Sequence, residues 1–390
     1  MDFALSDEQR MILDYGDQLA KTYDRAYWMD KAEKHEFPME MWRQAGADGF
    51  IGVMVPEEYG GSGLGMMELC LLMEGLANNG VPLLFLVVTS AMALGYLSEY
   101  GSEEQKRKYL PDACTGEKNF CFAITEANAG SNSMKIQTAA KPVGDASEGR
   151  FLLNGSKTFI TGADVAHYGL VVSRTTPLAE AARKTDGFTI FIVDMNAKGV
   201  EKRPIDISIK APEMQFQLFF DDVEVSQEDV IGEVDRGFDI LFDTLNPERI
   251  MVAAMAIGLG RFAINQAVEY SRERVVFDVP IGSHQGLQHP LAAAKTEVEM
   301  ACLMTHKAAW AFDQGLPAGE YSNMAKYFSA EAGIHAVDAA VQCFGGNAFT
   351  KDYGIFDIYP IVRLLRTAPL NREIILSYIG EHVMGMPRSY

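Results

Sequence analysis

The texture of the chain changes twice, and these two changes constrain the fold more than any single motif. Up to about residue 118 the apolar residues recur at helical spacing, from about Phe120 to Val230 β-branched and aromatic residues alternate, and from about Gly237 long helical patterns return. Side chains share a face roughly every 3.6 residues in a helix and every 2 in a strand, so the two patterns are not interchangeable. The expected fold is α+β: an N-terminal helical domain (1–118), a middle antiparallel β-barrel or sheet domain (119–233) and a C-terminal four-helix-bundle domain (234–390).

Local signals refine this. Ser6 and Gln9 form a capping box ahead of Met11, Ile12, Tyr15 and Leu19, which share one helix face. Further helical stretches at Pro38–Ala47, Met66–Asn78 and Leu83–Tyr100 are punctuated by the turn-rich run Val55–Gly63. Asn154-Gly155, set between apolar runs, predicts a hairpin turn, and Tyr168–Val172, Phe188–Val193 and Gln217–Val225 read as strands. The long helices are placed at Arg249–Ser271, His289–Gln314 and Ala318–Cys343; their Met and Ala content reads as bundle core.

Composition narrows the partners. The chain has 34 Lys+Arg against 53 Asp+Glu, a formal charge of −19, which repels phosphate backbones and anionic membranes and argues against nucleic acid. Five cysteines, widely spaced and with no CxxC, suggest neither a disulfide framework nor a zinc site, and no metal is expected. The N-terminal residues lack signal- or transit-peptide character, and no apolar run is read as membrane-spanning. The expectation is a cytoplasmic protein without membrane insertion.

Four motifs in order then carry a resemblance. Phe122-Ala123-Ile124-Thr125-Glu126-Ala127-Asn128-Ala129-Gly130-Ser131, the turn Val55–Gly63, Asn154–Thr161 and Gln342-Cys343-Phe344-Gly345-Gly346-Asn347 together resemble the acyl-CoA dehydrogenase family across nearly the whole chain. The resemblance implies FAD, an acyl-CoA substrate, an electron-transfer flavoprotein as electron acceptor and a homo-oligomer, usually a tetramer. It places Phe122, Ile124, Thr125, Phe159 and Thr161 along the flavin and Ser131 toward the thioester and CoA. Arg274, Phe277, Gln342 and Gly346 match positions holding the FAD pyrophosphate and adenine across a subunit interface, with Asp278 where a glycine is usual. Taken singly, Phe122 and Phe159 read equally as core aromatics, and Thr125 and Ser131 as residues satisfying turns.

One motif departs from the pattern. The family's usual base is a Glu that removes the α-proton of the thioester while the β-hydrogen leaves as hydride, giving an enoyl-CoA. Counting forward from Tyr353 and back from Gly385, its position is taken by Pro369, which supplies neither a carboxylate nor a backbone N–H for the thioester carbonyl; the neighbouring Leu370 amide is an alternative donor. Glu248 is the candidate replacement, at the position used by relatives resembling isovaleryl-CoA dehydrogenase. Asn246-Pro247-Glu248 reads just as naturally as a helix start with an acid in the first turn. Arg249 matches an arginine near the substrate or makes a salt bridge with Glu248 or a nearby acid, and Glu213 is read as a solvated turn residue rather than an acid near the site. The relocated base is compatible with a branched, cyclic or bulky acyl group. Enoyl-CoA reduction, other flavin chemistry and a catalytically silent FAD-binding assembly protein are the competing readings.

Overall fold

The chain is described by a computed structural model covering residues 4–145 and 149–389, with the backbone alone at 242–244. Its N-terminal region is helical: α1 (Asp7–Thr22), α2 (Arg25–Lys34), α3 (Met39–Ala47), α4 (Met66–Ala77), α5 (Leu94–Tyr100) and α6 (Glu103–Cys114). The box at Ser6 forms, each partner's backbone N–H donating to the other's side-chain oxygen at 3.1 Å. The stretch read as one helix over Leu83–Tyr100 begins as a π-helical segment, Leu86–Ala93, before tightening into α5. The wider turns lie against the start of the sheet, where the Thr89 hydroxyl donates to the Phe120 carbonyl at 2.9 Å.

The middle region is one eight-stranded sheet: β1 (Phe120–Ala123), β2 (Ala139–Val143), β3 (Arg150–Thr161), β4 (Tyr168–Arg174), β5 (Phe188–Asp194), β6 (Val200–Ile205), β7 (Gln215–Ser226) and β8 (Val230–Ile231). The order is β6-β7-β3-β2-β4-β5-β8, with β1 parallel to β4 and β2 meeting β4 at one parallel bridge; the other pairs are antiparallel. The hairpin expected at Asn154-Gly155 does not form. Both residues lie inside β3, at a shift of register against β7. Asn154 instead fastens the neighbouring strand, donating to Asp222 Oδ1 at 2.9 Å and accepting from the Asp222 N–H at 3.0 Å. Gly155 has φ +146°, and a Cβ there would stand 2.6 Å from the Thr138 backbone, so the glycine serves close strand approach rather than a turn.

The C-terminal region packs α7 (Gly237–Glu273), α8 (Gln285–Asp313) and α9 (Gly319–Phe344) against one another. The fourth position is shared by two short helices, α10 (Tyr359–Leu365) and α11 (Arg372–Tyr378), both on α9. Between α7 and α8 a small hairpin pairs β9 (Val275–Val276) with β10 (Val279–Pro280). The helix start expected at Asn246 is corrected: α7 begins at Gly237 and runs through Pro247. The reading failed because proline is far commoner at the first helical position than inside. One helix among the described residues, α7, is long and apolar enough to cross a membrane, with mean hydropathy 1.4, where none was expected from sequence. Of that window 78% is buried inside the protein, so its apolar surface is core.

Candidate active site

The chain leaving β1 is held by a buried ion pair. Lys157 on β3 is fully buried; its ammonium donates to Glu126 Oε1 at 2.8 Å and to the Ile124 carbonyl at 3.0 Å. Burial pulls the lysine down to about 8 against the opposing pull of Glu126. The Glu126 carboxylate also accepts from the N–H groups of Gln137 and Thr138 at 2.7 and 2.9 Å. Burial would raise it, but Lys157 and these donors hold it below the usual carboxylate range. The segment Ile124–Glu126 is therefore rigid, and the Thr125 hydroxyl makes no hydrogen bond with a described residue. Sequence reasoning passed over Lys157 and Glu126 as positioning groups, although both stand inside the motifs quoted above.

Beside this segment β3 bulges between Lys157 and Ile160, and the bulge carries Phe159 at φ +57° with 60% of its surface exposed. A phenylalanine in the left-handed region costs about 1–3 kcal/mol, a strain that persists where a side chain is being aimed. Thr161 is buried and its hydroxyl accepts from Gln215 Nε2 at 2.9 Å. Phe122 is buried, stacked on Tyr96 of α5 with centroids 5.5 Å apart. Ser131 is exposed, and its hydroxyl accepts from Asn371 Nδ2 at 2.7 Å, joining the middle region to the turn that carries Pro369.

Glu248 lies on α7, partly exposed, and its carboxylate accepts no hydrogen bond from a described residue. Burial carries it up to about 7, against the pull of Arg249 and Lys326. Arg249 is buried, donates to Asn246 Oδ1 at 3.2 Å, and leaves its Nε without a partner. Among the described residues no salt bridge joins Arg249 to Glu248 or to another acid, in contrast to the reading of Arg249 as a salt-bridge partner. Lys326 on α9, also buried, donates to the carbonyls of Arg366 and Leu370 on either side of Pro369, and burial pulls it down to about 8. Nothing in the sequence reading had singled out Lys326. Glu213 is no solvated turn residue: it is 2% exposed, accepts from the Phe85 N–H at 3.3 Å, and burial raises it to about 8. Its place in a run of turn residues had concealed that the segment tucks under Phe85.

The remaining residues form a second cluster at the other end of α7. Arg274 caps that helix, and Phe277 and Asp278 are the two central residues of the hairpin, at φ +55° and +64°. Two consecutive positive φ values are what a two-residue hairpin turn demands, and Asp tolerates them better than most residues, which accounts for Asp278 in place of glycine. Phe277 is 88% exposed. Exposed Gln342 and Gly346 lie at the end of α9, which is tied to the last turns of α7 by Tyr270, stacked on Phe344 at 4.3 Å and accepting from Asn347 Nδ2 at 2.8 Å. An open groove of about 670 Å³ between α7 and α8 adjoins this hairpin, far from Glu248. Glu248 and Arg274 are 26 residues apart on one helix, roughly 39 Å at 1.5 Å per residue.

The Glu74–Cys302–His306 group keeps its ligand atoms within 4.8 Å of one another, but Arg261 donates to Glu74 Oε2 at 2.7 Å and fills the place a cation would take. It is an ion-pair network between α4, α7 and α8.

An exposed aromatic on a strained bulge, beside a rigid segment offering a free hydroxyl, suits a flat ring with apolar faces and one polar edge, as in a flavin. The chain matches the acyl-CoA dehydrogenase N-terminal domain over residues 6–117, the middle domain over 121–223 and the C-terminal domain over 235–384. It is 44% identical over 390 residues to the acyl-CoA dehydrogenase FadE12 of Mycobacterium tuberculosis, covering 100% of this chain and 99% of that one. It is 32% identical over 358 residues to the caffeyl-CoA reductase-Etf complex subunit CarC of Acetobacterium woodii, covering 91% and 92%. The solved butyryl-CoA dehydrogenase of Megasphaera elsdenii superposes with a TM-score of 0.93 at 29% identity, over 98% of this chain and 100% of that one. With three helical and sheet regions in the same order and a site shaped for a flavin, the chain belongs to the acyl-CoA dehydrogenase family and is an FAD-dependent oxidoreductase.

Proposed function

We propose that the protein dehydrogenates an acyl-CoA between its α and β carbons, with Glu248 as the base. The observation that carries this reading is the state of Glu248: a carboxylate without a hydrogen-bond partner among the described residues, raised to about 7, beside the turn where Pro369 has removed the usual acid. A base tuned close to neutrality is ionised often enough to act and basic enough to take a proton. FAD, when bound, supplies the two-electron acceptor for the β-hydrogen. Glu248 receives the α-proton, and Arg249, with a free Nε, orients the acyl end. Pro369 has no N–H, so the thioester carbonyl is met by the next amides of the turn, Leu370 or Asn371. Phe122, Ile124, Thr125, Phe159 and Thr161 hold the flavin, and Ser131 lies toward the CoA chain. The partly accessible Glu248 on α7 suits a branched, cyclic or bulky acyl group.

Arg274, Phe277, Gln342 and Gly346 clamp the pyrophosphate and adenine of a neighbouring copy's FAD. The span of roughly 39 Å along α7 supports this, because one dinucleotide cannot touch both ends of the helix in one chain. The protein is accordingly a homo-oligomer, a tetramer on the family pattern, and electrons leave through an electron-transfer flavoprotein.

Anaerobic titration with a panel of straight, branched and aryl acyl-CoAs tests the reaction. Bleaching of the flavin absorbance is expected from at least one, and Glu248→Gln should lose that bleaching by at least a hundredfold while retaining FAD. Full bleaching in Glu248→Gln would overturn the base. A second reading, enoyl-CoA reduction, is favoured by the similarity to a caffeyl-CoA reductase subunit; it would show as reoxidation of the reduced enzyme by enoyl-CoAs with no bleaching by any acyl-CoA.

A further inference from the structure

We infer that Lys326 is a positioning residue for this reaction: its ammonium fixes the Arg366–Asn371 turn through the carbonyls flanking Pro369 and supplies a buried positive charge that acts on Glu248. The inference rests on the reading of Glu248 as base.

Lys326 is 1% exposed, on the face of α9 that meets α7 and the turn. A lysine is almost never buried without a specific partner, and packing alone would be served better by leucine or methionine. It donates to the Leu370 carbonyl and, at 3.4 Å, to the Arg366 carbonyl, and no carboxylate among the described residues lies within ion-pair distance. The acids that act on it are Glu248 from α7 first, then Glu331 on its own helix and Glu373 on α11; Arg249 opposes them. Glu331 is occupied by Arg366 Nε at 2.8 Å and by Arg372 at 3.6 Å, and Glu373 is exposed and lies near Arg372. Among the described residues the charged groups that act on Glu248 are Arg249 and Lys326, while Arg249 is acted on by Glu248, Tyr378 of α11 and Tyr96 of α5. Lys326 is thus a buried cation that makes no ion pair among the described residues, is bonded to the turn, and acts on Glu248.

Two consequences follow from this geometry. A buried ammonium acting on Glu248 from beyond ion-pair distance still favours its ionised form, the form that accepts the α-proton. The same ammonium polarises the Leu370–Asn371 peptide through its carbonyl, and the N–H of that peptide, on Asn371, is free of protein acceptors among the described residues. A peptide polarised at its oxygen donates more strongly from its nitrogen. One side chain therefore links the base to the donors that replace the missing amide at Pro369.

The test is the pH dependence of substrate bleaching in the FAD-loaded enzyme. Lys326→Gln keeps donors for the two carbonyls and removes the charge; the acid limb should rise by about one unit, so that bleaching falls about fivefold at pH 7 and recovers by pH 9. Lys326→Arg should leave the limb within a few tenths of a unit of wild type. Lys326→Met serves where Lys326→Gln does not fold. A limb unmoved by loss of the charge, or a loss equal at pH 7 and pH 9, overturns the inference. Failure of the underlying reading is seen separately, as full bleaching in Glu248→Gln or none in the wild type.

Discussion

A carboxylate raised to about 7 is useful in a reaction and costly in a fold. In the unfolded chain Glu248 titrates near the ordinary value of 4.5. Its folded form therefore holds the proton more tightly, and the stability associated with that proton is lost as pH rises from about 4.5 through 7. The span corresponds to up to about 3 kcal/mol at pH 8. Glu248→Gln removes the penalty without changing shape. The variant should be more stable than wild type by one to three kcal/mol at pH 8, about equal at pH 5, and inactive. Chemical denaturation of both proteins at the two pH values checks this, and a gain over wild type no larger at pH 8 than at pH 5 would show that the carboxylate is not desolvated. Phe159 makes a similar exchange in backbone terms, since its left-handed φ is tolerated because the bulge turns the ring outward.

At the scale of elements, α4, α7 and α8 are joined by Glu74, which is 1% exposed and lies 2.6 Å from His306 Nε2. Arg261 bridges the same acid to Glu299, with bonds of 3.0 and 2.9 Å to the latter. Burial disfavours charge on both Glu74 and His306, but their mutual contact, with Cys302 and Arg261 beside them, lowers Glu74 and carries His306 up to about 10. The His306 contribution is full below pH 6.5 and is lost as pH rises toward 10; that of Glu74 is present above pH 4.5 and lost as pH falls. Glu74 keeps Arg261 when its histidine is removed, so the lost charged hydrogen bond should cost about 1.5–3 kcal/mol, and His306→Leu is expected to lower the unfolding midpoint at pH 6 and much less at pH 10. Equal losses at both values would locate the effect in packing. None of this network was legible in the sequence, because its members are far apart along the chain and nothing local marks them as partners. What periodicity carries was legible: the long helices, the strand-rich middle and the capped start at Ser6. What it misplaced were positions where a side chain answers to a distant neighbour: Asn154 to Asp222, Gly155 to Thr138, Glu213 to Phe85, and Pro247 inside a helix whose packing outweighs its local preference.

For the whole molecule, the separation of the two clusters along α7 is the fact that function has to accommodate. Glu248 lies in the first half of α7, Arg274 and Phe277 stand at and beyond its far end, and Gln342 and Gly346 lie at the end of α9, all four exposed. If the second cluster serves a neighbouring copy, a subunit with a dead base still carries a working clamp, and a subunit with a broken clamp still carries a working base. Glu248→Gln and Arg274→Ala should each be nearly inactive alone, the second through weakened FAD retention. Co-expressed with different tags and purified through both, they should regain activity, since the Arg274→Ala subunit keeps its own Glu248 and borrows the clamp of its Glu248→Gln partner. Random pairing puts one competent site in half of the dimeric units, about a quarter of wild-type activity per subunit before enrichment. A clamp acting within its own chain predicts no recovery at any mixing ratio, because every site would then lack either its base or its hold on the cofactor.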